Sequence, residues 1–544
     1  LREIAGALED LLGPHGEDFR AWDVSGDLPA EFIEEIRAFG LFGLVIPEEF
    51  GGLGLGSMAY SRTLQEVGRY DASVAVTVGA HSSIGMRGLL LHGNEEQRRR
   101  FYPRLASGEM IAAYCLTEPG AGSDAAAIKT RAVRDGDDWV LNGNKLWITN
   151  GGIANFFTVF ARTDSAVDGG KMTAFIVTGD MPGVSVGPHE DKMGLRANPT
   201  TTVHFDDVRV PAANVLGEPG KGFKIAMQIL NSGRTGLGGG SVGGMKRLIG
   251  LATRQANERH TFGQPISSYG LVKEKVGRMV VDCYTAEAVV TLVAGLIDAG
   301  YQDYAVEAAI SKIYATECLW RCADEALQIA GGNGFMREFP YERVVRDSRV
   351  NRIFEGTSEI LRLFVALTAM NDVGSQLKEL AASMKGALAD PIKGFGVLSD
   401  YARKHAQLRT GLGGAAKLQD IHEAIRPQAE VFENETRFLA QATDRILRKH
   451  GRDIVNKQFA TKRLAEIMID LFVLAATLSR VQSALEAAGV EAAAREIEIL
   501  QVFTRDARVR IKHNFRRIDN NDDELLKSLA DDAFASERFR WDTI

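Results

Sequence analysis

The 544-residue chain is short of several things, and each shortage closes a class of answer. It has four cysteines: Cys115, Cys283, Cys318 and Cys322. They are too few and too unevenly spaced for a disulfide framework, which points to a reducing compartment. Cys318 and Cys322 lie one helical turn apart, but no His or further Cys completes a zinc set. Buried thiols on a core helix are the better reading, and no metal is expected. No uninterrupted apolar run nears the roughly 18 residues of a membrane-spanning helix. Positive charge is not in excess either. Lys plus Arg number 64 and Asp plus Glu 71, a net charge of −7, which argues against nucleic-acid binding. At 45% hydrophobic and 25% charged residues, the balance is that of an ordinary soluble protein and excludes wholesale disorder. At about 150 residues per domain, the length predicts three or four domains. The first residue is Leu1 rather than Met, which leaves an upstream segment or a removed targeting peptide open.

Periodicity divides the chain. Residues 1–112 read as helical, with Phe32, Ile33, Ile36 and Phe39 on one face. The glycine-rich stretch from Pro47 to Gly56 reads as a loop between helices, since no strand–helix unit surrounds its GxGxG spacing. From 113 to 220 the pattern turns to β. Trp139–Trp147 holds two apolar runs around Asn142-Gly143, a hairpin signal. Phe156–Ala161, Thr173–Val177 and Thr201–Val210 are rich in β-branched and aromatic residues. From 221 to 371 helices return, predicted at Phe223–Leu230, Gly243–Glu258, Leu271–Ala299, Asp303–Ile329 and Ser358–Ala369. The stretch 371–460 is more polar, with glycine breaks at Gly394–Gly396 and Gly411–Gly414. Beyond it Leu464, Ile467, Leu471, Leu474, Leu478, Val481 and Leu485 form an apolar seam on one long helix, the core of a bundle. The predicted domains are therefore 1–112, 113–220, 221–371 and 372–544. The chain is mostly α with a small β domain, and strand–helix alternation of the Rossmann type is missing.

Four clusters carry chemistry. Tyr114–Asp124 sets Pro and Gly between hydroxyl and acidic residues, so its backbone can approach a ligand; a plain turn is the other reading. Leu146–Thr149 offers an aromatic plane beside a hydroxyl, or a core Trp. Gln328–Phe335 is a glycine-rich break after a helix, equally a C-cap and loop. In Arg352–Ile360, Glu355 follows two apolar residues. An apolar pocket would destabilise its charged form and raise its pKa toward that of a useful base. Read alone, the same segment suits a surface glutamate before a helix capped by Thr357 or Ser358.

Together, in this order around a β-segment, the four clusters resemble the acyl-CoA dehydrogenase family. Arg259–Ile266 (RHTFGQPI) is a fifth match. The resemblance covers about 1–371. The added block resembles the very-long-chain branch, most visibly at Asn456–Asp470. It implies a helical domain, a middle β domain, a four-helix bundle and an extra C-terminal helical domain. It implies FAD as cofactor and oxidation of long or very-long acyl-CoA to the trans-2-enoyl-CoA, the first step of fatty acid β-oxidation, with electrons passed to electron-transfer flavoprotein. Glu355 would be the catalytic base, and the Glu355 N–H with a ribityl hydroxyl would steady the thioester oxygen. Tyr114, Leu116, Thr117, Gly122, Ser123, Trp147, Ile148 and Thr149 would line the flavin. Arg259, Thr261 and Phe262 would meet its pyrophosphate and adenine, completed by Gln328, Gly331 and Gly332 from a neighbouring subunit. Thr357 and Glu359 match positions at the diphosphate end, where the family more often has Gln than the acidic Glu359. Ser123, Asn231, Arg234 and Gly356 would contact substrate. The small residues Val76–Ala80 align with the acyl-pocket floor and would leave it open to long chains.

The branch resemblance also implies a homodimer. Peripheral membrane contact through 372–544 is one reading of the basic stretches Arg445–Arg452 and Arg505–Arg517; a solvated helix face is the other. Localisation would be cytoplasmic in a bacterium and mitochondrial in a eukaryote. Two other functions share these motifs: an acyl-CoA oxidase, and a respiratory-complex assembly scaffold.

Overall fold

A twisted sheet lies between helical blocks. In a computed structural model, which describes residues 2–163, 171–370 and 418–542, the chain forms two units, Leu1–Ser358 and Glu359–Ile544. In the first, helices α1 (Arg2–Leu12), α2 (Gly16–Ser25), α3 (Ala30–Ala38), α4 (Ser57–Tyr70), α5 (Ala72–Gly79), α6 (Arg87–His92) and α7 (Glu95–Ala106) precede the sheet. Phe32, Ile33 and Ile36 are buried on α3 as their spacing predicts, whereas Phe39, just past the helix end, is partly exposed. Between α5 and α6 the backbone takes a π-helical turn, Ala80–Gly85, a deviation common at functional sites.

The strands are β1 (Ala112–Cys115), β2 (Arg131–Asp135), β3 (Asp138–Ile148), β4 (Phe156–Thr163), β5 (Met172–Thr178), β6 (Val184–Val186), β7 (Thr201–Val210) and β8 (Val215–Leu216). Their order is β6-β7-β3-β2-β4-β5-β8, with β1 joined parallel to β4. The hairpin expected at Asn142-Gly143 is not there. Both residues lie inside the continuous strand β3, and the turn falls at Gly136-Asp137, where Asp135 pairs with Asp138. Gly136 supplies the left-handed φ of +64° that this turn needs. Gly143 instead marks a bulge against β7, where a Cβ would overlap Thr130.

Past the sheet come α8 (Gly222–Glu258), α9 (Gly270–Asp298), α10 (Ala305–Ala330) and α11 (Tyr341–Arg349). The predicted break at 231–242 is absent, because α8 runs unbroken for 37 residues through its glycines. Packing outweighs their poor helix propensity. A Cβ at Gly239 would stand 2.6 Å from the Ser61 carbonyl oxygen, and one at Gly243 would overlap that of Gln65. The glycines let α8 lie directly on α4. Two stretches, Ala72–His92 and Gly270–Asp298, are apolar and long enough to cross a membrane, and both bury much of their surface within this unit. The four cysteines are buried and stand outside any disulfide, and the described residues contain no metal-binding cluster.

In the second unit a helical stretch at 359–370 is followed by α12 (Arg426–His450), α13 (Gln458–Ala492), α14 (Ala494–Asp519) and α15 (Asp523–Ser536). All seven residues of the predicted seam are buried on α13. Three basic residues of the 505–517 stretch of α14 face acids of the same unit. Arg508 is 3.7 Å from Glu435, Arg510 2.6 Å from Asp470, and Arg517 3.2 Å from Asp522. The glycine breaks at 394–396 and 411–414 and the 371/372 boundary lie outside the described residues.

Candidate active site

The base loop begins where α11 gives way to a tight turn at Val350–Arg352. Ile353 N and Phe354 N both donate to the Val350 carbonyl, at 2.7 and 3.1 Å. Glu355 then has φ +56° and Gly356 φ +94°. A left-handed glutamate costs roughly 1–2 kcal/mol and persists only where its surroundings impose it. Two buried cations do so through the main chain. Arg234 Nε donates to the Glu355 carbonyl at 3.2 Å while its Nη1 donates to Asn231 Oδ1 at 2.8 Å. Lys312 Nζ donates to the Gly356 carbonyl at 2.7 Å. Glu355, Gly356, Asn231 and Arg234 thus meet in one cluster.

The Glu355 side chain is treated differently from its backbone. Its Oε2 is buried and has no hydrogen-bond partner. Burial pushes its pKa up to about 7, and Arg234 and Lys312 only partly oppose the rise. Room for the carboxyl comes from α8, since a Cβ at Gly233 would stand 2.7 Å from Glu355 Oε1. Tyr60 of α4 adds a second buried oxygen, and burial drives its pKa upward, with Ser83 and Arg87 opposing the rise and the Glu355 charge adding to it. A Cβ at Gly236 would come within 3.3 Å of the Tyr60 ring. Sequence reasoning missed Lys312, Gly233 and Tyr60, each of which looks like an ordinary helix residue in one dimension.

Tyr114 links this cluster to the sheet. Its hydroxyl donates to the Ala226 carbonyl of α8 at 3.2 Å, and it lies within electrostatic reach of Glu355 and Arg234. After β1, Leu116 is buried and Thr117 half-buried, while Gly122 and Ser123 are exposed. Leu146 N donates to the Thr117 carbonyl at 2.9 Å, which binds this loop to the end of β3. A buried ion pair fastens it further. Lys145 Nζ is 2.7 Å from Glu118 Oε1 and donates to the carbonyls of Leu116 and Phe160 at 3.2 and 2.8 Å. Glu118 also accepts from Lys129 N and from Thr130 N and Oγ1. The alternation Trp139, Leu141, Lys145 could have flagged the inward lysine.

At the end of β3, Ile148 is buried and Thr149 half-buried, but Trp147 is 62% exposed with a left-handed φ of +56°. A bulky residue so strained and so exposed marks a surface held for something else. Asn150, also left-handed, is tied by its Nδ2 to the Thr77 carbonyl at 2.9 Å and accepts from Asn198 Nδ2 at 3.0 Å. That chain fixes the Trp147 segment to α5, which carries Val76–Gly79 of the expected acyl-pocket floor.

The remaining candidates face outward. Thr261 pairs with Gln264 around Phe262-Gly263, both left-handed, and Phe262 is 91% exposed. Arg259, Gln328, Gly331 and Gly332 are exposed as well. Thr357 is half-buried after the base, and Glu359, the first residue of the second unit, is exposed.

Comparison with known proteins follows the same division. Residues 4–109, 113–208 and 220–370 match the N-terminal, middle and C-terminal domains of acyl-CoA dehydrogenase, and 423–539 matches the ACAD9/ACADV C-terminal domain. The chain is 42% identical to the mitochondrial very long-chain specific acyl-CoA dehydrogenase of Bos taurus over 537 residues, 96% of this chain and 81% of the relative. It is 36% identical to a probable acyl-CoA dehydrogenase of Bacillus subtilis over 92% of this chain and 82% of that one. Among solved structures, an acyl-CoA dehydrogenase from Bacillus anthracis complexed with FAD superposes with a TM-score of 0.82 at 34% identity, covering 97% of this chain and 90% of that one.

Proposed function

The chain belongs to the acyl-CoA dehydrogenase family, and from that premise we propose that it dehydrogenates long and very-long acyl-CoA thioesters, with Glu355 as the base. The observation that carries this reading is the buried Glu355 Oε2, without a hydrogen-bond partner, on a strained loop. A structural carboxylate would be paired; one held near pH 7 without a partner is poised to take a proton. A purely structural scaffold has no use for it.

The residues fit FAD. Trp147 offers an exposed ring plane, Thr117 and Thr149 offer half-buried hydroxyls, and Gly122, Gly331 and Gly332 have open space where a Cβ would stand. Bound FAD supplies the hydride acceptor for the substrate β-carbon. The chain supplies the rest. Glu355 Oε2 takes the α-proton, and its apolar surroundings set the pKa for that transfer. Arg234 and Lys312 hold the 355–356 backbone, which leaves the Glu355 N–H free to meet the developing enolate oxygen. Tyr114 and Trp147 orient the flavin against this site. Val76–Gly79 and Gly236 leave room for a long acyl chain beside Tyr60.

Electrons pass to electron-transfer flavoprotein in this reading. The reading includes a homodimer, in which a second copy would cover exposed apolar side chains such as Phe262, Leu271 and Phe335, which are 91%, 75% and 79% exposed. Membrane contact through 372–544 has less support, since Arg508, Arg510 and Arg517 already face acids. Co-sedimentation of the full chain with anionic vesicles tests it. The decisive assay is turnover with a dye acceptor across acyl chain length, with flavin absorbance near about 450 nm as the cofactor check. Peak activity at palmitoyl-CoA or longer supports the proposal; a peak at butyryl- or hexanoyl-CoA contradicts the chain-length reading. Peroxide formation in place of dye reduction would favour an oxidase.

A further inference from the structure

A cavity of about 500 Å3 opens where the end of α2, the 191–196 loop and α11 meet. None of its lining residues belongs to the candidate active site. Four are cations: Lys192, Arg196, Arg337 and Arg346. Two carboxylates answer them. Arg346 is committed to Asp23 at 2.7 Å, and to Glu342 outside the cavity at 2.6 Å. Arg196 is committed to Asp191 at 2.5 Å. Lys192 and Arg337 are left over. Lys192 Nζ donates to the Asn198 carbonyl at 2.8 Å, and neither cation forms an ion pair among the described residues. Burial, and then the Arg196 charge, push the Lys192 amine down to about 8, and the carboxylates of Glu190, Asp191 and Asp347 only partly offset that push.

The walls are preformed. A Cβ at Gly194 would overlap the Arg346 backbone, and Leu195 N donates to Asp347 Oδ1 at 2.6 Å, so the loop is locked onto α11. The lining also holds two exposed apolar side chains, Val24 at 60% and Met193 at 59%. A volume of this size exceeds what a single phosphate needs and falls within the roughly 300–1,000 Å3 of small-molecule sites.

We propose that this cavity binds a nucleoside phosphate, with phosphoryl oxygens on Lys192 and Arg337 and the base against Val24 and Met193. Arginine grips phosphate through its planar fork and lysine as a point charge, while methionine adapts to a flat ring. A free adenine nucleotide and the nucleotide end of a CoA thioester share this chemistry.

The test uses the FAD-loaded full chain and calorimetric titration with ADP, inorganic phosphate and CoA at constant ionic strength. Saturable ADP binding is expected, tighter than phosphate, and weakened about tenfold or more in Arg337→Ala and in Lys192→Met. Met193→Asp keeps all four cations, places a carboxylate in the cavity, and must weaken ADP as well. All three variants should retain acyl-CoA turnover, which also shows that they fold. A second CoA-binding event lost in Arg337→Ala would identify CoA as the source; a single event unaffected by it would identify the free nucleotide. No saturable ADP binding, equal binding by the variants, or phosphate binding as tight as ADP would overturn the proposal.

Discussion

Glu118 and Glu355 are both withdrawn from water, one in the loop after β1 and one in the base loop, and their surroundings treat them in opposite ways. Burial alone would push both pKa values up. At Glu118, Lys145 and the donors from Lys129 and Thr130 more than cancel that push and hold the carboxyl below the usual range. At Glu355 the two nearby cations donate to the 355 and 356 backbone carbonyls, Arg234 reaching Asn231 as well, and the side-chain Oε2 stays without a hydrogen bond. The first arrangement locks a loop as a permanent anion. The second keeps a carboxyl that can gain and lose a proton near neutrality. Partner placement, added to a stronger desolvation at Glu355, separates fastening from catalysis.

The largest expected effect is on the unmatched carboxyl. Glu355→Gln should retain FAD and bind palmitoyl-CoA but lose turnover by about 10²–10⁴-fold or more in a dye-coupled assay. The matched pair should fail differently. Lys145→Met leaves the buried Glu118 charge without its cation, with an expected loss of about 3–5 kcal/mol in denaturant unfolding. Adding Glu118→Gln to that variant should recover part of the loss, because the stranded charge is then gone. Gly243→Ala forces α8 away from Gln65 and should cost about 1–3 kcal/mol, read the same way.

The smallest effect is on stability against pH. The folded pKa of Glu355 lies above its ordinary value of 4.5, so ionising it costs the fold. The wild type should lose more stability than Glu355→Gln as pH climbs from about 4.5 through 7; Asp347, also raised to about 7, contributes equally to both. The variant should therefore be more stable at pH 8 by an amount on the order of 1–3 kcal/mol, with no gain below pH 4.

Much of this was legible in one dimension. The α-β-α order and the buried seam on α13 rest on local pattern, whereas the clusters around Thr117, Trp147 and Glu355 gained their expected roles only through the family resemblance. What escaped was set by contacts between distant segments. Asn142-Gly143 looked like a turn, but pairing with β7 made it a bulge and moved the hairpin to Gly136. The glycines of α8 looked like a break, and close approach to α4 kept them helical. Lys312 is 44 positions from the carbonyl it holds, and nothing nearby in sequence marks it. The strain at Trp147, Phe262 and Glu355 became visible only in the backbone.

The pH dependence of kcat/KM for a long-chain acyl-CoA tests most directly whether an unmatched carboxyl is the base. The active form is the ionised one. The rate constant should be level above an inflection near pH 7 and fall about tenfold per unit below it. A profile flat from pH 5 to 9, or an inflection near 4.5, would contradict the account.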